Sequence, residues 1–220
     1  MSDTAQDVFE IMRTTRPMRR LSPDPVPDEL IERVLDAGTW APNSLNAQPY
    51  RFLVMRDRES VAFFAERYDK AIKRGFAGLT LDPADNSPRA RNIRVALSFG
   101  ERMADVPVLL VICGVRDWPF AVPQDQRVGV PPPSYGSVYP CVQNMLLACR
   151  ALGLGASLTT IHQLFEGELC ARWAIPDDYG IVAVLPVGYP LGRFGPVGRR
   201  PSREITWHAR WGQSAPTAQG

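Results

Sequence analysis

The sequence predicts an α+β fold built around a mixed sheet, on three observations. Helix-like and strand-like periodicities are interleaved along the 220 residues without the regular alternation of a βαβ chain. One segment, Val106–Val115, is apolar almost throughout, the pattern of a strand buried on both faces. Apolar residues make up 45% of the chain and charged residues 22%, enough to bury a sizeable core and too apolar for a disordered chain. No internal repeat or linker composition interrupts the chain, so residues 1–220 are expected to form a single domain.

In order, Val8, Ile11 and Met12 predict a first helix near residues 4–14. Arg13 to Arg20 carries four arginines and no acid, and Pro17 stops the helix at or before Thr15. The stretch 22–27 has three prolines and reads as extended. Pro27, Asp28 and Glu29 open a second helix, whose buried stripe is Leu30, Ile31, Val34 and Leu35. Residues 41–49 form a turn-rich loop, and Tyr50–Met55 a strand. A helix over 58–74, a loop from Gly75 to Pro88 and a helix over 89–103 precede the Val106–Val115 strand. Residues 116–136 contain five prolines and read as an irregular excursion, the kind that shapes a binding site.

The strongest helix is Ser137–Leu152, with Val138, Val142, Met145, Leu146 and Cys149 on one side and Pro140 placed in its first turn. Gly153 and Gly155 end it. A short strand over 156–160, a helix over 163–173 and a strand over 181–187 follow, and from Gly188 the chain is rich in Gly and Pro with five more arginines.

Composition excludes several classes. A net charge of +2 argues against a chain built around nucleic acid, and no helix-turn-helix or aromatic stacking pattern appears. The N-terminal segment is polar, and Val106–Val115, broken by Pro107 and Gly114, is far short of the roughly 20 residues a bilayer span needs. The expectation is a cytoplasmic protein without membrane contact, its four cysteines reduced. Two histidines are too few for a His-based zinc site, so no metal is expected.

All the basic residues but Lys70 and Lys73 are arginine, whose planar fork suits phosphate and carboxylate. Arginines cluster at R-P-M-R-R (16–20) and again within 193–203. The first cluster alone is compatible with a solvated patch, a nucleic-acid contact or an anion clamp; the two together could converge on one dianion such as phosphate. The polar run N-S-L-N-A-Q (43–48) offers hydrogen-bonding groups to a heteroaromatic ring or a sugar chain, or else a turn closed on its own Asn side chains. G-L-G-A-S-L-T-T (153–160) follows a helix and precedes a strand, the reverse of a dinucleotide fingerprint, so a glycine helix cap is the better account. A lone His162 reads as structural, and no carboxylate pair offers acid–base chemistry, so no catalytic side chain is assigned.

Four segments in order then resemble the FMN-dependent nitroreductase family: T-T-R-P-M-R-R-L-S-P-D-P-V-P (14–27), A-P-N-S-L-N-A-Q-P-Y-R-F (41–52), V-Y-P-C-V-Q-N-M-L-L-A-C-R-A-L-G-L-G-A-S (138–157), and L-P-V-G-Y-P (185–190) with G-R-R-P (198–201). Residues 57–133 carry no such match and correspond to the variable, substrate-shaping part; 212–220 read as a flexible tail. The resemblance implies an α/β sandwich with a mainly antiparallel central sheet flanked by helices, assembled as an intertwined homodimer with FMN at the interface. It implies that Arg16 and Arg19 hold the FMN phosphate and pyrimidine edge, with Pro17 between them and Arg20 as an added candidate. Ser44, Asn46 and Gln48 would reach the cofactor from the partner chain. Leu158 and Thr159 correspond to a strand whose backbone approaches flavin N5, and Arg199, with Arg200 as alternative, to the C-terminal phosphate position.

The family's activity implies hydride transfer from NADH or NADPH through flavin N5 to a small-molecule electron acceptor such as a nitroaromatic, quinone or enone, in ping-pong order. Flavin ring cleavage, dehalogenation and azoline oxidation are the alternatives on the same fold. Pro17 replaces the family's usual Ser and so removes a hydroxyl and an N–H from the phosphate loop. Asn43, Tyr50 and Leu21 stand where Ser, Trp and Phe are commoner.

Overall fold

A computed structural model describes residues 7–116 and 134–213. Among these residues four strands form one sheet in the order β1-β2-β4-β3, with β1 Tyr50–Met55, β2 Val108–Val115, β3 Gly155–Ala156 and β4 Tyr179–Gly188. Every strand pairing among the described residues is antiparallel, so the α+β class holds while the parallel part of a mixed sheet does not appear among them. Among the described residues six α-helices accompany the sheet: α1 Val8–Thr14, α2 Asp28–Thr39, α3 Arg58–Phe76, α4 Pro88–Glu101, α5 Ser134–Ala151 and α6 Glu166–Arg172.

The central strand β2 organises the layers. Val108, Leu110 and Ile112 point into a core shared with α2 and α5, while Leu109, Val111 and Cys113 point into a second core shared with α3 and α6. Period-two alternation with both faces buried is why the segment reads as one apolar run. Along β4 the alternation slips once. Ile112 pairs with Ala183 but Cys113 with Ile181, so Val182 is an extra residue, and Val182 and Ala183 both enter the α2/α5 core.

Helix ends follow local chemistry. The Asp57 carboxylate accepts the Ser60 N–H at 2.7 Å to start α3, and Ser87 Oγ accepts the Ala90 N–H at 3.1 Å to start α4, with Pro88 in the first turn. Helices α2 and α5 cross closely at Gly38, where an added Cβ would lie 2.8 Å from Met145 Cγ and 3.0 Å from Cys141 Sγ. Helix α5 ends in a Schellman motif: the Leu154 N–H reaches Cys149 O at 2.7 Å and the Gly153 N–H reaches Arg150 O at 3.2 Å. Gly153 has φ +75°, a conformation that favours glycine.

Several elements differ from the sequence expectation. Helix α5 starts at Ser134 rather than Ser137, which leaves Pro140 inside the helix and not in its first turn. Helix α4 ends at Glu101, and Met103–Asp105 form a separate 3₁₀ turn. The strand expected over 156–160 is reduced to Gly155–Ala156 plus one bridge from Thr159 to Val184. The helix expected over 163–173 is a 3₁₀ turn, Ile161–Leu164, followed by α6. The start of the first helix at 4–6, the excursion over 117–133 and the tail over 214–220 lie outside the described residues.

Candidate functional site

The two arginine-rich segments do meet. Past α1 the chain runs extended, and the Met18 N–H donates to Ala156 O of β3 at 2.9 Å. The C-terminal segment is laced to it by three more backbone bonds: Ser22 N–H to Tyr189 O at 2.8 Å, Leu191 N–H to Arg20 O at 2.9 Å, and Val197 N–H to Arg13 O at 3.0 Å. Gly155 makes this approach possible. A Cβ there would lie 2.8 Å from Leu21 Cδ2 and 2.9 Å from Met18 Cβ. The G-L-G run is therefore a helix cap followed by a close crossing.

Between these arms and α5 lies a cleft of about 440 Å³. Helix α5 contributes Gln143, Leu146 and Arg150, a face rotated by one residue from the Val142, Met145, Cys149 stripe that enters the core. Thr15, Arg16 and Pro17 come from the N-terminal arm, and Phe194, Val197 and Arg199 from the C-terminal arm. Ser157 and Leu158 close the remaining wall. Three guanidinium groups thus face one cleft, and among the described residues its lining contains no carboxylate and none of the three is ion-paired.

Of the residues singled out from sequence, Arg16, Pro17, Leu158 and Arg199 line the cleft. Arg19 and Thr159 do not; both belong to the surroundings of Tyr68. Burial pushes the Tyr68 hydroxyl above its ordinary pKa, while a hydrogen bond with the Thr159 side chain and the nearby Arg19 charge act in the opposite sense. The Thr159 N–H is bonded to Val184 O at 3.0 Å, so it is not available to a ligand. Arg20 lies against Gly192, and Arg200 is exposed next to Arg199 without lining the cleft.

Ser44, Asn46 and Gln48 also lie off the cleft wall. Their loop is held by the Ser44 N–H to Ser137 Oγ at 3.3 Å and by Asn43 Oδ1, which accepts the Gln48 N–H at 2.8 Å. The turn closed on an Asn side chain, one of the two sequence readings, is present. Leu45, Asn46 and Gln48 all have φ near +50°, a region that non-glycine residues seldom occupy and that concentrates at functional sites.

Sequence reasoning missed Arg150, Gln143 and Phe194. The signal was the second stripe at i, i+3, i+7 on α5, masked by the stronger apolar stripe beside it. Other candidates drop out. His162 is fully buried, its Nε2–H donates to Ile181 O at 2.7 Å, and burial lowers its pKa, so it is a neutral structural group. Burial pushes the thiols of Cys113, Cys141 and Cys149 up to about 12, which keeps them protonated. Among the described residues no cluster of His, Cys, Asp and Glu has the makings of a metal site, and no helix is long and apolar enough to cross a membrane.

The sequence model of the nitroreductase family matches residues 12–189. A provisionally named NADH dehydrogenase/NAD(P)H nitroreductase of Methanothermobacter thermautotrophicus is 26% identical over 189 residues, covering 84% of this chain and 78% of its own. The 5,6-dimethylbenzimidazole synthase of Rhodospirillum rubrum is 27% identical over 218 residues, covering 90% and 92%. The crystal structure of a nitroreductase with bound FMN from Desulfitobacterium hafniense DCB-2 superposes with a TM-score of 0.65 at 17% identity, over 93% of this chain and 100% of that one. At that identity the superposition establishes a shared fold.

Proposed function

The chain belongs to the nitroreductase family, and from that premise we propose that it is an FMN-dependent oxidoreductase. Its electron donor is NADH or NADPH, and its acceptor is a small oxidised molecule such as a nitroaromatic, quinone or enone. One observation carries the cofactor assignment: Arg16, Arg150 and Arg199 face a cleft that holds no acid among the described residues, with apolar walls from Met12, Leu146 and Leu154 beside them. A phosphate monoester suits the guanidinium groups, and a flat ring system suits the apolar walls.

FMN, when bound, supplies the hydride chemistry of the reaction. The chain's part is to bind and orient. Arg16 and Arg199 neutralise phosphate charge, and Pro17, lacking an N–H, leaves that work to side chains. Leu158 sits on the cleft wall just before the chain rejoins the sheet at Thr159, so its peptide is the candidate for a backbone contact with the ring. No side-chain acid or base is assigned.

A homodimer completes the reading. Val8, Phe9 and Met12 on α1, and Trp40 and Leu45 beyond α2, are between 50% and 85% exposed. Apolar side chains this exposed suit a partner surface. The strained 43–48 loop, lying off this chain's own cleft, is free to serve the partner's.

The purified protein is expected to be yellow, to release FMN on denaturation, and to bleach within a turnover when mixed anaerobically with NADH or NADPH. A colourless protein that ignores added FMN overturns the assignment.

The Rhodospirillum relative favours a second reading in which flavin is itself the substrate. Aerobic incubation with reduced FMN separates the two: irreversible loss of the flavin spectrum supports ring cleavage, and simple reoxidation supports the reductase.

A further inference from the structure

We propose that Arg150 is a phosphate-binding residue, held in place by Phe194 and Thr14, and that it makes the cleft selective for phosphorylated over unphosphorylated flavin. The proposal rests on the flavin reading above and assigns to that site a contact no sequence motif indicated.

Arg150 stands in the last turn of α5 and is only half-buried. Its Nε–H donates to Thr14 Oγ1 at 3.0 Å, and the Thr14 hydroxyl donates onward to Glu10 O at 2.7 Å. Its guanidinium carbon sits 4.4 Å from the centroid of the Phe194 ring. One bond and one stacking surface together fix the plane of the group. A guanidinium has five N–H donors, and four of these have no partner among the described residues. They lie at the cleft that Arg16 and Arg199 share.

A purely structural role does not account for the arrangement. A basic residue in a last turn often caps the helix carbonyls, but the Cys149 and Arg150 carbonyls are already bonded by Leu154 and Gly153, and the Arg150 side chain donates to neither. Nor does it balance a carboxylate, since none of the described residues that line the cleft is an acid. The electrostatics point outward. The C-terminal end of a helix disfavours an anion, and a cation presented there by the helix itself offsets that effect. Arg16 and Arg199 sit exposed on irregular arms, whereas the Arg150 guanidinium is fixed by both Thr14 and Phe194.

Binding of FMN and riboflavin, followed by flavin fluorescence, tests this in the wild type and in Arg150→Gln, Arg150→Lys and Phe194→Leu. Arg150→Gln is expected to weaken FMN about 10- to 100-fold, the size of a charge-assisted hydrogen bond, with riboflavin unmoved. Arg150→Lys should recover part of the loss, because charge returns without the fork. Unchanged FMN binding, or equal weakening of both flavins, overturns the proposal.

If Arg150→Gln does not fold, Phe194→Leu carries the test: it keeps the charge, and a loss confined to FMN supports the proposal while equal losses overturn it. A wild type that binds neither flavin refutes the flavin reading instead. Thermal stabilisation by inorganic phosphate then decides the role of Arg150. A shift present in the wild type and absent in Arg150→Gln supports it, and no shift or an equal shift in both overturns it.

Discussion

Arg199 and Arg200 are neighbours in the chain, yet only Arg199 lines the cleft. Arg199→Gln is expected to weaken FMN at least 10-fold, while Arg200→Gln leaves it within about threefold, both readable by fluorescence titration. The sequence put Arg199 first but kept Arg200 as an alternative, because adjacent arginines in an irregular segment have no periodicity to separate them. His162 supports a prediction of a different kind. Burial depresses its folded pKa below the ordinary value of about 6.5, so below that pH the unfolded chain takes up a proton that the folded one refuses. Its contribution to stability is complete above pH 6.5 and is lost as the pH falls through the depressed folded value. Melting temperatures across that window should fall less steeply for His162→Gln, whose amide keeps a donor for Ile181 O, than for the wild type; parallel profiles would contradict the assignment. A lone histidine between Ile161 and Gln163 announced its burial only weakly, but a structural role was the reading the sequence favoured.

At the scale of elements, the crossing of the N-terminal arm over β3 depends on the absence of a side chain at Gly155. Gly155→Ala drives a Cβ into Met18 and Leu21. Overpacking of this kind costs about 1–3 kcal/mol, so the melting temperature should drop by several degrees. Because the displaced arm carries Arg16, FMN should weaken in the same variant, and calorimetry and titration together read both effects. Strand β2 was legible because alternating side chains fill two cores at once, and α3 because Val61, Phe64, Ala65 and Tyr68 recur on one side at helical spacing. What stayed hidden depended on partners distant in sequence. The strand expected over 156–160 shrank because Ser157 and Leu158 leave the sheet for the cleft wall before Thr159 rejoins it. Helix α5 extends one turn past its apparent start because Pro140 is tolerated inside it, against the local preference that set the expected boundary.

Over the whole molecule, sedimentation should give twice 24.4 kDa if the exposed apolar residues of α1 and the α2 end are a subunit interface. Phe9→Asp, placing a charge at a position 75% exposed, should shift that equilibrium toward monomer without lowering the stability of the isolated chain. The class of fold and the meeting of two arginine clusters were legible because core patterning and charge clustering are written in composition. The cleft's third cation was not, because α5 shows its core stripe far more strongly than the face beside it. The backbone lacing of Arg13, Arg20 and Ser22 to Val197, Leu191 and Tyr189 has a consequence for biosynthesis. Phe194, Val197 and Arg199 form one wall of the cleft, so the proposed flavin is expected to load only late in translation, after these residues are made.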